Sequence, residues 1–151
     1  MSPDPINVLI QKIHGAEDIP LPEYATPGSA GIDLRAAIVS DVTLQPGERR
    51  LIPTGIRMAI PEGFEGQVRP RSGLAIRNGI SMVNTPGTID SDYRGEVQII
   101  MINHGDEPFV IRRGDRIAQL VIAPVLRAEL VEVEDLPETL RNGGGFGHTG
   151  V

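Results

Sequence analysis

Large apolar and polar or small residues alternate along Ile56-Arg57-Met58-Ala59-Ile60 and again along Leu130-Val131-Glu132-Val133-Glu134, the period-two signature of a strand with one buried face. Two denser runs, Val97 to Ile102 and Ala118 to Ala123, read as strands buried on both faces. Turn formers interrupt the pattern every 10 to 20 residues, at Gln45-Pro46-Gly47-Glu48, Pro61-Glu62-Gly63, His104-Gly105-Asp106 and Arg113-Gly114-Asp115. One segment departs from strand character. Ser72 to Gly79 opens on a residue suited to cap a helix and closes on Asn-Gly, which predicts a helix of about two turns. The pattern predicts an all-β sandwich or barrel with one short helix.

Composition narrows this picture. A chain of 151 residues sets an expectation of one domain. Its 18 Gly and 13 Pro exceed a fifth of the residues, which excludes a helical bundle. Aromatics are 3%, so the core is expected to be Val, Ile and Leu. With no Cys, disulfides, thiolate metal sites and a cysteine nucleophile are excluded, and a reducing compartment fits. His14, His104 and His148 lie too far apart in sequence for metal-ligand spacing, which argues against a zinc enzyme. The net charge of -6 argues against a broad grip on nucleic acid. No apolar run approaches the roughly 20 residues that span a bilayer, and the N-terminus lacks an export-signal pattern, so a soluble cytoplasmic protein without a membrane partner is expected.

Several short constellations could carry chemistry. In Arg69-Pro70-Arg71-Ser72-Gly73-Leu74 a strand gives way to a helix start. Free backbone N–H groups, a hydroxyl and a guanidinium could converge there on one anion, or the segment could be a plain cap with solvated arginines. The 13 Arg against the single Lys12 lean weakly toward phosphate, while GxxxxGK[ST] is absent, which excludes a P-loop nucleotidase. In Thr88-Ile89-Asp90-Ser91-Asp92-Tyr93-Arg94-Gly95, a buried aspartate beside a flat tyrosine face could hold a water and stack a sugar. A solvated acidic turn is the plainer reading of the same residues.

Asp33, inside the apolar Ser29-Ala30-Gly31-Ile32-Asp33-Leu34, needs a partner such as Arg71 or a hydrated cation. The glycine-rich end from Arg141 to Gly150 cannot offset its own ordering entropy and reads as a mobile tail. Within it, Phe146 has the character of a lid residue that stacks on a flat ligand.

Taken in order, Ser29 to Leu34, Pro70 to Ala75, Gly87 to Gly95, Gly114 to Leu120 and the Arg141 to Gly150 tail resemble the five motifs of the trimeric deoxyuridine triphosphate nucleotidohydrolases, the dUTPases, with spacing intact from about Leu21 to Gly150. The resemblance implies a β jelly roll over residues 1–140, a closing arm over 141–151, and a homotrimer with sites between subunits. It implies hydrolysis of dUTP to dUMP and pyrophosphate with Mg2+ as cofactor, the cation being held by the triphosphate and water, with Asp33 reaching it only through water.

By the same resemblance the catalytic set is Asp90, Gln119 and Asp33, with Asp90 orienting and deprotonating the water that attacks the α-phosphorus. Asn84 and the backbone of Gly87, Thr88 and Ile89 would read the uracil edge. Tyr93 would pack under the deoxyribose and exclude a 2′-hydroxyl. Arg71, Ser72 and Gly73 would line the triphosphate with Gln119, and Arg141, Phe146, Gly147 and Thr149 would form the arm, with Phe146 over uracil and Arg141 at the γ-phosphate. Asn142 stands where the family usually has Gly, His148 where Ser is frequent, and Ile32 where an aromatic is common.

Two competing readings stand beside this one. A dCTP deaminase would place a Glu where Asp90 stands and release ammonia. A trimeric jelly-roll regulator without catalysis would have no use for Asp90, Arg71 and Phe146 together.

Overall fold

Ten strands and one short helix form the described part of the chain, residues 5–150 of a computed structural model. Part of the N-terminal stretch read for an export signal, and the last residue of the expected arm, lie outside it. In chain order the elements are β1 (Leu9–Lys12), β2 (Ile32–Arg35), β3 (Val42–Leu44), β4 (Arg49–Ala59), β5 (Phe64–Arg69), α1 (Ser72–Asn78), β6 (Ile80–Met82), β7 (Gly87–Ile89), β8 (Glu96–Asn103), β9 (Phe109–Ile111) and β10 (Arg116–Pro124). One antiparallel sheet runs β1-β4-β8-β6, a second runs β2-β10-β5-β7, and β3 pairs with β9. This is the all-β architecture the pattern predicts, and the jelly roll that the resemblance implies.

One hydrophobic cluster joins the sheets: Ile52, Met58, Ile99 and Met101 from the first meet Leu34, Val68, Ile89 and Leu120 from the second, with Leu44 and Ile111 from the small pair. The core is thus led by Ile with Met and Ala, and Val contributes less than expected. β4 is central to its sheet yet contains Pro53, tolerated because the register slips between Pro53 and Arg57. Gly55 in that bulge has φ +71, and a Cβ there would meet Ala16 Cβ at 2.5 Å, so both its backbone and its crowding demand glycine.

The buried amide of Asn103 ties the ends of β3 and β8 together. Its Nδ2 donates to the carbonyls of Leu44 (3.0 Å) and Glu107 (2.8 Å), and its Oδ1 accepts from Gly105 N–H (2.8 Å). Arg113 does similar work at the surface: it donates to the carbonyls of Gly15 and Ile38 and grips both carboxylate oxygens of Asp18. That hydrogen bonding holds the Asp18 carboxyl below its ordinary value of 3.8.

Three expectations are corrected. Residues 130–134 form no strand: Leu130, Val131 and Val133 are exposed, and no strand among the described residues pairs with them, so the alternation has no hydrogen-bonding neighbour. The strands at 97–102 and 118–123 exist but are not buried on both faces. Val97, Ile99 and Met101 point into the core while Gln98 is exposed and Ile100 and Ile102 are half-covered, and in β10 Gln119, Val121, Ile122 and Ala123 are likewise only partly covered. The helix lies where predicted and ends on Gly79 in the left-handed region, but Arg71 holds its N-cap position with no side-chain cap, and Ser72 is the first helical residue.

Asn103→Ala removes the partner of the buried Leu44 carbonyl and of the part-buried Glu107 carbonyl and Gly105 N–H, and is expected to cost about 1–3 kcal/mol in a denaturant titration. A carboxyl with a lowered folded value contributes stability above its unfolded value that is lost as pH falls through the folded one. Asp18→Asn is therefore expected to flatten the loss of thermal stability below pH 3.8, the ordinary value of that carboxyl.

Candidate functional site

β7 lies at the edge of its sheet and pairs with β5 alone, which leaves the backbone along its outer side without a strand partner. Beside it opens a cleft of about 270 Å3 lined by Asn84, Gly87, Thr88, Ile89, Asp90 and Tyr93, with Val68, Met82 and Val97 beneath and Leu51, Glu96, Gln98 and Ile100 on the facing strands. The size suits a single ring with part of a sugar, being just under the roughly 300 Å3 at which pockets for larger ligands begin. A cis peptide bond between Thr85 and Pro86 shapes the entry to β7, and Thr85 Oγ1 donates to the Met82 carbonyl.

The turn from Asp90 to Gly95 is braced by its own backbone and side chains. Tyr93 N–H donates to the Asp90 carbonyl, and Arg94 Nη1 donates to the carbonyls of Ser91 (2.6 Å) and Tyr93 (2.9 Å). Tyr93 Oη donates to the Glu96 carbonyl at 2.9 Å, which holds the ring against the turn. Glu96 is fixed in its turn by accepting the Gly55 N–H. Asp90 lines the cleft but is exposed in this chain, so the image of a buried aspartate does not hold here; the carboxylate stands at the rim beside the tyrosine.

A second cluster forms on β2, β10 and the start of α1. Asp33 is mostly buried between two guanidinium groups, Arg71 Nε at 3.3 Å from Oδ1 and Arg116 Nη1 at 3.1 Å from Oδ2. Arg71 Nη1 also donates to the Arg116 carbonyl. Two cations around one carboxylate leave the cluster one positive charge in excess, a setting for an anion. Asp33 Oδ1 and Arg71 Nε are both buried and make no well-aligned hydrogen bond, so their contact is an ion pair by proximity.

Gln119 lies directly across the ladder from Asp33 and packs over Gly31, whose missing side chain gives it room. Gly73 lies under the Arg77 guanidinium, and the Ser72 hydroxyl is left free by the cap. The pairing of Asp33 with Arg71 is as expected from the sequence. Arg116 lies within the Gly114 to Leu120 motif with nothing in the sequence to mark its role, and only the fold reveals it as the second partner.

These two clusters are not together in one chain. The pairs Val68↔Gly87 and Gly66↔Ile89 run β7 toward the start of β5, so Asp90 falls at the Phe64–Glu65 end, where it also borders a hollow with those two residues. Arg71 continues from the opposite, Arg69 end. At about 3.3 Å per residue the two lie roughly 15–20 Å apart. The arm contacts neither cluster. Arg141, Phe146, Gly147 and Thr149 are exposed, and the hydrogen bonds of 139–150 among the described residues stay within that segment. Among the described residues no group of three or more His, Asp or Glu is placed to hold a metal ion.

The fold and these clusters define a jelly-roll protein with a ring-sized cleft on a sheet edge and a separate arginine-rich anion cluster. A dUTPase family model matches residues 17–150. The chain is 60% identical over 147 residues to the deoxyuridine 5'-triphosphate nucleotidohydrolase of Anaeromyxobacter sp. (strain Fw109-5), covering 97% of this chain and 99% of the relative. It is 60% identical over 145 residues to the same-named enzyme of Syntrophotalea carbinolica, covering 96% and 97%.

Among solved structures it superposes on a mutant dUTPase of Staphylococcus bacteriophage 80alpha bound to dUpNHpp, with TM-score 0.85, 27% identity and coverage of 96% and 99%. It also superposes on a mutant dUTPase of S. aureus phage phi11, described as coordinating a structural Mg(II) ion, with TM-score 0.76, 27% identity and coverage of 86% and 98%. The chain belongs to the dUTPase family.

Asp33→Ala leaves two guanidinium groups facing each other, one of them largely buried, and is expected to cost about 1–3 kcal/mol. Arg116→Gln is expected to cost clearly less, since the Arg116 side chain is 47% exposed. Chemical denaturation of the two variants compares them.

Proposed function

We propose that Asp90 readies the water that attacks the α-phosphorus of dUTP, in a site completed by more than one copy of this chain. That the reaction is dUTP hydrolysis follows from membership of the dUTPase family and from relatives of 60% identity over nearly the whole length. The observation that carries the site assignment is the cleft beside the unpaired edge of β7, with Asp90 and Tyr93 on its rim. A pyrimidine edge offers alternating donors and acceptors, and a free strand edge offers the complement. Gly87, Thr88 and Ile89 therefore hold uracil by backbone groups and Asn84 by its amide. Tyr93 lies under the deoxyribose and leaves no space for a 2′-hydroxyl.

Arg71, Ser72 and Gly73 bind the triphosphate, with Gln119 beside the attacking water. Asp33 acts by aiming Arg71 rather than by touching phosphorus. Water adds to the α-phosphorus, its proton passes to the Asp90 carboxylate, and pyrophosphate leaves, giving dUMP. Phosphoryl chemistry asks mainly for positioning and charge neutralisation, which this set provides.

The donor set fits Mg2+ only as a cation that arrives on the substrate. Both Asp33 oxygens face guanidinium groups, and Mg2+ keeps waters and takes few protein ligands. Bound to the triphosphate, it neutralises charge on the phosphoryl oxygens. Asp33 would meet it only through water.

Three copies, as in the resembled trimers, would bring Asp90 of one to Arg71 of another across the gap that separates them within a chain. Exposed Leu126, Leu130, Val131, Val133, Leu136 and Leu140 supply apolar surface that this chain leaves uncovered, which supports such an assembly. The stretch from 141 to 151 acts as an arm over the filled site, Phe146 on uracil with Gly147 and Thr149 alongside it and Arg141 at the γ-phosphate, and excludes water from it. The lack of Cys fits a cytoplasmic setting.

Purified protein is expected to release pyrophosphate from dUTP and far less from dTTP, dCTP or UTP. Ammonia from dCTP would favour the deaminase reading instead. Asp90→Asn is expected to lower kcat by about 10²–10⁴ with little change in affinity for dUTP, because it removes the base and keeps the shape. Undiminished turnover in that variant would overturn the assignment.

A further inference from the structure

Gly95 is quoted in the third motif, yet nothing in the proposed chemistry uses it. Its φ lies outside the left-handed region, so its backbone places no demand for glycine. Its surroundings do. A Cβ at this position would meet the Tyr93 ring, with Cζ at 2.6 Å and Cε2 at 2.9 Å, and would come closest of all to Oη. The phenol lies across the α-carbon of Gly95 on its way to the Glu96 carbonyl, so the hydrogen bond that fixes the ring exists only because residue 95 has no side chain.

We infer that Gly95 is a specificity-determining position: it seats Tyr93 against the turn, and through that seat sets how well the cleft tells deoxyribose from ribose. This rests on the reading of Tyr93 as the residue beneath the sugar. The colliding atoms belong to the free end of a side chain that is 45% exposed, not to backbone or core. A methyl at position 95 is therefore accommodated by moving the ring, with the fold intact, and the cost falls on the sugar pocket. Glu96 and the Arg94 brace remain, so the turn that carries Asp90 keeps its course.

The test measures kcat/KM for dUTP and for UTP in four proteins: wild type, Gly95→Ala, Tyr93→Ala and the double variant. Wild type must first prefer dUTP; if it does not, the reading of the site fails before this inference is reached. Gly95→Ala is expected to reduce the dUTP-to-UTP ratio about tenfold or more. Its thermal midpoint is expected to stay within about 4 °C of wild type. In the Tyr93→Ala background the ring atoms nearest to the added methyl are absent, so the double variant is expected to match Tyr93→Ala in both ratio and midpoint.

An unchanged ratio in folded Gly95→Ala overturns the inference. So does a double variant that is less stable or less selective than Tyr93→Ala alone, since that assigns Gly95 a role in the backbone. Should Gly95→Ala fail to fold, recovery of folding in the double variant supports the collision with the ring, and failure there overturns it.

Discussion

The short ladder between β5 and β7 constrains everything else in this molecule. It consists of three antiparallel pairs, Gly66↔Ile89, Gln67↔Thr88 and Val68↔Gly87. Those pairs send β7 back along β5, so the turn bearing Asp90 and Tyr93 emerges at one end of β5 while Arg71 and α1 leave from the other. Because β7 pairs with nothing further, its outer edge borders the cleft. A slip of one residue would turn Ile89 out of the core and undo the cleft floor with it. The same ladder thus makes the ring-sized cleft and keeps it away from the anion cluster, which is the physical ground on which a site shared between copies is proposed.

Much of this was legible in the sequence. The five motifs in order named the family, and turn chemistry with period-two alternation gave strands in the right places for β4, β8 and β10. The buried charge of Asp33 demanded a partner, and Arg71 is one. What stayed hidden was pairing. Arg116 is 83 residues from Asp33 and joins it only because β10 lies beside β2. The alternation at 130–134 is real, but alternation describes a strand's faces and not its edges. Strand structure needs a hydrogen-bonding neighbour, and within the described residues of this chain there is none. The helix cap shifted by one residue because the chain is extended at Arg71, which takes the cap position, and a guanidinium carries only donors, so the cap has no side-chain acceptor.

The arm reads differently once its backbone is seen. Asn142, which departs from the family's usual Gly, has φ +40, a conformation that Asn tolerates better than other residues with side chains. Asn142 Oδ1 accepts from Thr139 N–H, and Asn142 N–H donates to Thr139 Oγ1. The substitution therefore keeps the turn and adds a reciprocal pair at the root of the arm, where glycine would add only freedom. Beyond it, Arg141 Nε caps the Gly144 carbonyl, and Phe146 stands fully exposed. Ordering such a segment over a ligand, as proposed for the arm, would cost about 1–2 kcal/mol per residue, so the contacts made on closure would have to be numerous.

Two sets of glycines in this chain contrast. Gly47, Gly63, Gly79 and Gly114 have positive φ and shape turns or the end of α1. Gly31, Gly73, Gly87 and Gly95 do not, and each lies under a side chain: Gln119, Arg77, Asn84 and Tyr93 respectively. Three of those four side chains belong to the residues assigned to substrate or water. A site side chain packed on a bare α-carbon loses rotamer freedom without needing a partner on its other side, which stays open to the ligand. In sequence both kinds of glycine look like turn punctuation, so the motifs could be recognised without revealing why their glycines are there. The structure supplies the reason, and it makes the absence of a Cβ as specific a feature of the proposed site as the groups assigned to the substrate.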